Sequence, residues 1–260
     1  MMKKLLAMSA IAIVGTIMSC QTEDAAPNTE ISQDALNKIN AIGFSTEGAM
    51  AVDGGYLVEG DIMLHDHDLN GYRDAKYLVV ADEEQYRTTN LVSGPRTITV
   101  SISNRLPSSY VTALDEALAR FNSEGLNLTF QRVSSNADID LVKGNGNFLA
   151  SAGFPTSGGD PYGTVKINSN AIGSQPQSTV ATIIAHEIGH CIGFRHTDYM
   201  NRSYSCGGSA VNEGASTVGA IHIPGTPTGP DSGSWMLSCI GSGQNRPFNN
   251  NDKTALSYLY

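Results

Sequence analysis

Between residues 186 and 196 the chain reads His-Glu-Ile-Gly-His-Cys-Ile-Gly-Phe-Arg-His, and this run constrains the fold more than any other feature. Residues four apart on an α-helix differ by about 40° in direction, so His186 and His190 lean from one face and can share a target. Glu187, one position on, points to the flank, where it reaches a metal-bound water without becoming a ligand. On a continued helix His196 would lie roughly 240° around the axis from His190, too far to join the pair. The helix must therefore stop between them. Gly193 is the place, because glycine enters the left-handed conformation that ends helices at little steric cost. Three neutral imidazoles leave a tetrahedral zinc with one open position, the catalytic rather than the structural arrangement. With 6 His in 260 residues, the whole pattern is remote as a coincidence. Val180, Ile183, Ile184, Ile188 and Cys191 form an apolar stripe that excludes His186 and His190, so the helix is expected to bury one side and present the other to a cleft.

A third histidine after the glycine is the metzincin signature, in which a methionine turn underlies the zinc. Ser234-Trp235-Met236, forty residues past His196 and preceded by Pro230, Asp231 and Gly233, makes Met236 the candidate for that turn. The run from His186 through Thr197 and Asp198, the Ile-His-Ile-Pro-Gly-Thr-Pro stretch at 221–227 and the closing residues 252–260 resemble the bacterial dual-action HEIGH metallopeptidase family. The resemblance covers roughly residues 95–260 and implies a secreted zinc endopeptidase acting on protein or peptide substrates. It implies an α+β metzincin-like fold: a twisted, mostly parallel sheet with an antiparallel edge strand, a helix before the sheet, a zinc-binding active-site helix and a Met-turn. In this reading one catalytic Zn2+ is held by His186, His190 and His196, with Glu187 as general base. Astacins and serralysins carry a tyrosine two residues after the turn methionine, where Ser238 stands here, and astacins carry a glutamate directly after the third histidine, where Thr197 stands. Neither a tyrosine switch nor that family's activation salt bridge is expected. Asp198 could orient a ligand or simply cap a turn.

The scaffold is legible upstream. Residues 97–103 alternate like a strand, and Ser108 or Ser109 can cap a helix placing Val111, Leu114, Leu118 and Phe121 on one face before Gly125 ends it. Strands follow at 126–132 and 137–142, and a further short strand at 163–168. Metzincins place an antiparallel edge strand there, so Thr164, Val165, Lys166 and Ile167 are expected to line the cleft and pair with an extended substrate; a strand paired on both sides is the competing reading.

Lys3 and Lys4 precede an apolar run at 5–18, too short to span a bilayer and right for a signal peptide. Ile17-Met18-Ser19-Cys20 resembles a bacterial lipobox, which would make Cys20 the lipid-bearing first residue after removal of 1–19, followed by a polar tether at 20–31. The expected location is the bacterial envelope or surface, or the extracellular space, with membrane contact only through Cys20. Loss of Lys3 and Lys4 leaves 14 basic against 25 acidic side chains, a net −11 that excludes a nucleic-acid binder. Cys191, Cys206 and Cys239 allow at most one bridge; Cys206 with Cys239 is favoured, since Cys191 lies on the apolar stripe.

Residues 32–95 read as a propeptide-like segment ahead of a peptidase domain at 96–260. Val58-Glu59-Gly60-Asp61-Ile62 resembles the astacin propeptide segment whose aspartate blocks the zinc until cleavage, here expected between residues 81 and 94. The alternative is an ordinary turn between strands at 51–59 and 62–64. Asp66, Asp68, Asn70 and Gly71 open like a calcium loop, but Tyr77 stands where a bidentate glutamate is needed, so calcium is unsupported. His65 and His67 flank Asp66 and could bind stray metal, though an exposed histidine pair is usually unremarkable, and His222, with no partner identifiable from sequence, is read as structural. A competing function is a surface lipoprotein that uses a metzincin scaffold for binding without significant proteolysis; an intact Glu187 argues against it.

Overall fold

The computed structural model describes residues 30–70, 85–214, 219–227 and 229–260. The leader, Cys20, the tether up to residue 29, and Tyr77 lie outside the described residues.

The first elements are α1 (Gln33–Ala41), β1 (Met50–Val52), β2 (Gly55–Val58), β3 (Ile62–Leu64) and α2 (Asp66–Asn70). Ser32 caps α1 by accepting from the Ala35 amide at 3.2 Å. The strands form an antiparallel meander in the order β1-β2-β3. The single strand expected over 51–59 is instead a hairpin, because Gly54 and Gly55 take φ of 88° and 151°, which turns the chain back after Asp53. This unit has its own small core of Ile39, Ile42, Phe44, Val58, Ile62 and Leu64, against which Phe154 packs. The calcium-like stretch folds as α2: Asp68 accepts the His65 amide at 2.7 Å as an N-terminal cap.

The larger unit follows with β4 (Tyr86–Arg87), β5 (Arg96–Ile102), α3 (Ser109–Asn122), β6 (Leu128–Arg132), β7 (Ile139–Lys143), β8 (Ala150–Ser151), β9 (Thr164–Ile167), α4 (Ser169–Ile172), α5 (Gln177–Ile192), α6 (Ser203–Cys206), β10 (Ile221–His222) and α7 (Asn250–Leu259). Five strands form one sheet in the order β6-β5-β7-β9-β8, parallel except for β8. Ala113, Leu114, Ala117, Leu118 and Phe121 of α3 are buried in the core shared by the sheet and α5. This is the expected α+β metzincin-like architecture. No helix among the described residues is long and apolar enough to cross a membrane.

Two expectations need correction. Thr164–Ile167 is not the edge: β9 pairs with β7 along its length, and β8 covers Lys166 and Ile167 on the other side. The antiparallel edge is β8, and the meander lies along its continuation. Met63 N donates to Ala152 O at 2.8 Å, and Ala152 N to Asp61 O at 2.9 Å. Nor does the larger unit begin at residue 96. Gln85 to Val92 are woven into it: β4 pairs antiparallel with β10, Arg195 N donates to Tyr86 O at 2.9 Å, Thr88 N to Gly193 O at 2.8 Å, and the Gln85 side chain is buried on Asp252 at 2.8 Å.

Candidate metal centre

Helix α5 starts behind Pro176 and ends where the sequence places its stop. Gly193 has φ 111°, its amide reaches Gly189 O at 3.1 Å, and Phe194 N also returns to Gly189 O, at 2.9 Å. A side chain at Gly193 would also collide, since its Cβ would lie 2.7 Å from Leu91 Cδ2 and 3.0 Å from Asn90 O. The chain then turns back and delivers His196 to the other two imidazoles. The helix does not present an open face, as the stripe implied: residues 179–192 are all buried. Its second side is covered by the Met-turn and by the meander.

The three Nε2 atoms converge, His190 to His186 at 3.1 Å and His190 to His196 at 3.2 Å. Every Nδ1 faces an acceptor on the far side. His186 Nδ1 donates to Trp235 O at 3.0 Å, His190 Nδ1 to Phe194 O at 2.8 Å, and His196 Nδ1 to the Glu213 carboxylate at 2.9 and 3.0 Å. A neutral imidazole carries one N–H, so each Nε2 is left with a bare lone pair. Asp61 Oδ2 completes the group, 3.1 Å from His196 Nε2 and 3.5 Å from His186 Nε2. With the three rings neutral, four acceptors meet with no donor between them, which is the donor set of a cation such as zinc.

The surroundings fit that use. Burial, then the neighbouring imidazoles, hold His190 well below the usual histidine range, so it stays neutral. Burial alone would lower His196, but the Asp61 and Glu213 carboxylates outweigh it and raise it, so without an ion this ring favours a proton, whose place at Nε2 a cation would take. Burial opposes ionisation of Asp61, yet His196 and His186 keep it well below the ordinary carboxylate range. Burial, reinforced by Asp61, pushes Glu187 well above the ordinary carboxylate range. Glu187 lines the cavity beside His186, and its Oε2 has no hydrogen-bond partner among the described residues.

Met236 is fully buried under α5, and Thr197 N donates to its carbonyl at 2.9 Å. Gly189 permits this approach: a Cβ there would sit 2.5 Å from the Trp235 ring and 2.6 Å from Met236 Sδ. Asp61 stands on a turn between strands, as the alternative reading has it, and that turn faces the histidines. Glu59 and Gly60, at φ 54° and 90°, turn the chain between β2 and β3, and that turn carries Asp61 into the histidine cluster. Glu59 docks beside it, ion-paired at 3.0 Å with Arg195, both side chains fully buried. Arg195 also stacks over Phe44, with its guanidinium 5.3 Å from the ring centroid.

Asp198 does not hold a ligand. It accepts from the Ser238 amide and hydroxyl at 2.9 and 2.8 Å, tying down the chain after Met236. Ser238, at the tyrosine-switch position, is spent on Asp198 and Glu213. His222 bonds Thr226 at 3.0 Å and lies outside the cluster, and His65 bonds Tyr162 at 2.8 Å. Cys206 and Cys239 are bridged and Cys191 is a buried free thiol. Glu213 escapes the sequence reading, since nothing in its neighbourhood marks it; Gly189 could have been noticed as a helix-interior glycine that propensity disfavours.

A family model described as "Dual-action HEIGH metallo-peptidase" matches residues 57–260, so the match takes in the Asp61 turn. A search of curated proteins finds no match. Among solved structures the chain is similar to two of myroilysin. One is 17% identical with TM-score 0.44, covering 66% of this chain and 96% of that one; the other is 15% identical with TM-score 0.44, covering 66% and 86%. It is also similar to high choriolytic enzyme 1, a hatching enzyme zinc-protease from Oryzias latipes (medaka fish), at 18% identity and TM-score 0.40, covering 63% and 88%.

Proposed function

Since this chain belongs to the dual-action HEIGH metallopeptidase family and is a zinc metallopeptidase, we propose that it is an exported endopeptidase that is held latent by Asp61. The observation that carries the reading is the convergence of three Nε2 atoms 3.1 and 3.2 Å apart, each ring with its Nδ1 on an acceptor, beside a buried carboxylate with a free oxygen. His186, His190 and His196 would hold the ion, which when bound acidifies water toward neutrality and polarises the scissile carbonyl. Glu187 takes the proton from the attacking water and returns it to the leaving amine. The Trp235 carbonyl, the Phe194 carbonyl and Glu213 fix the three rings so that each Nε2 stays aimed inward. Substrate would lie along the β8 edge, the position that β3 occupies.

In this reading Asp61 Oδ2 would stand where the attacking water belongs, and removing that carboxylate would admit the water and loosen the meander's hold on the histidine cluster and the β8 edge. Because Gln85 to Val92 belong structurally to the catalytic unit, the activating cut falls before Gln85, upstream of most of the 81–94 window. Anchoring at Cys20 after removal of 1–19 would hold the latent chain at the bacterial envelope until that cut frees the catalytic unit, and the disulfide suits such an oxidising location. One experiment tests both parts. Full-length chain, Asp61→Ala and Asp61→Ala/Glu187→Gln are loaded with zinc and given denatured protein substrates. Asp61→Ala should cleave, wild type should lag well behind it, and the double variant should bind zinc but not cleave. Equal rates for the first two would remove latency; an active double variant would remove the assigned base.

A further inference from the structure

Beside Glu187 the cleft deepens into a cavity of about 190 Å³, a size that suits one side chain rather than a larger ligand. Its walls include Ile183, one helical turn before Glu187, and Leu237 and Ile240 from the chain after the Met-turn. Two arginines, Arg202 and Arg246, are its cationic lining. Arg202 is already committed, with Nε 3.0 Å from Glu213 Oε1. Arg246 is not. It donates to Cys239 O at 2.8 Å and Gln244 Oε1 at 3.1 Å, two of the five N–H groups a guanidinium offers. No carboxylate among the described residues lies within salt-bridge distance of it. Asp198 and Asp252 act on it from farther off, and both are occupied elsewhere: Asp198 by Ser238, and Asp252 by Gln85, Ser234 and Asn249.

The position of the cavity fixes which substrate residue enters it. Glu187 must reach the leaving nitrogen to return a proton, so the residue that contributes that nitrogen sits on the Glu187 side of the metal centre. Its side chain then enters the cavity lined by Ile183, Ile240 and the half-buried Arg246, which has no carboxylate in contact among the described residues. An arginine in this state favours a planar anion that can take two parallel N–H bonds. Resting on the endopeptidase reading above, we propose that Arg246 makes this cavity selective for an acidic side chain, so that the enzyme cuts on the amino side of aspartate or glutamate.

The test uses the full-length Asp61→Ala chain loaded with zinc and a set of peptides identical except for Glu, Asp, Leu or Lys after the scissile bond. The acidic peptides should be cut fastest. Adding Arg246→Glu should lower the Glu-to-Leu ratio of kcat/KM about tenfold or more and bring Lys forward, whereas Arg246→Lys should retain part of the preference. Ratios are read within each variant, so a partly unfolded preparation lowers all peptides alike and leaves them unchanged. Cleavage indifferent to charge, or a ratio unmoved by Arg246→Glu, overturns the selectivity alone. If the parent binds zinc and cuts none of the peptides, the endopeptidase reading falls, and the selectivity falls with it.

Discussion

Gly189→Ala sets two rules against each other. Gly189 lies inside α5, where replacing glycine with alanine ordinarily stabilises a helix by about 0.5–1 kcal/mol. The packing predicts the reverse. The new Cβ would sit 2.5 and 2.8 Å from two Trp235 ring atoms and 2.6 Å from Met236 Sδ. Met236 could swing, but Trp235 is wedged edge-on between Phe121, Phe194 and Phe248, with centroids at 5.4, 5.4 and 4.7 Å. The whole turn must therefore move away from the helix. Overpacking of this kind costs about 1–3 kcal/mol, so after the helix gain is subtracted the net effect should be a loss of up to about 2.5 kcal/mol. Urea denaturation midpoints of wild type and variant measure it. The displaced turn also carries the Trp235 carbonyl that holds His186 Nδ1, so zinc affinity should fall with stability, which a competitive chelator titration reads. A variant as stable as wild type, with unchanged zinc affinity, would refute the claim that this glycine exists to admit the Met-turn.

Two further outcomes follow from buried carboxylates. Glu213→Gln should weaken zinc binding roughly 10- to 100-fold while leaving the fold intact, because the charged acceptor behind His196 is lost; chelator competition with circular dichroism checks it. Burial pushes Asp252 up to about 7 against the hydrogen bonds it accepts. A folded-state value above the unfolded one means that the native state holds an extra proton between about pH 4 and 7, so this group's contribution is full below that window and is lost as pH rises through it. Asp252→Asn should flatten that part of the stability-versus-pH curve, as measured by denaturation from pH 4 to 8, and an unchanged slope would reject the assignment.

The parts of the fold legible in the sequence are those written in short-range periodicity. α3, β5, β6, β7 and β9 lie within a few residues of where alternation and the 3.6-residue stripe place them, because each buries one face against the same core. Pairing partners are different. Whether β9 is an edge depends on β8, a two-residue strand with no pattern of its own, and the breadth of the stripe on α5 says nothing about what covers its opposite side. The hairpin within 51–59 is different: Asp53-Gly54-Gly55 is a turn signal between two short apolar runs, so that break is legible.

The site divides along the same line. His186, Glu187 and His190 are readable because helical geometry links residues one and four apart, and His196 because a glycine must intervene. Glu213 reaches His196 across 17 positions, Trp235 reaches His186 across 49, and Glu59 reaches Arg195 across 136. No local pattern selects those partners, yet each follows from a physical demand that the motif itself creates. Three rings that must all aim Nε2 inward require three acceptors on their Nδ1 side, and a buried arginine next to the third ligand requires an anion. Arg195 could have been read this way. A charged residue between Phe194 and His196 has no route to solvent once the flanking positions are buried, and the carboxylate it demands comes from the turn that also delivers Asp61. The Asp61 carboxylate and its anchor are thus only two positions apart: Glu59 secures the turn on Arg195, and Asp61 then falls onto the histidine cluster.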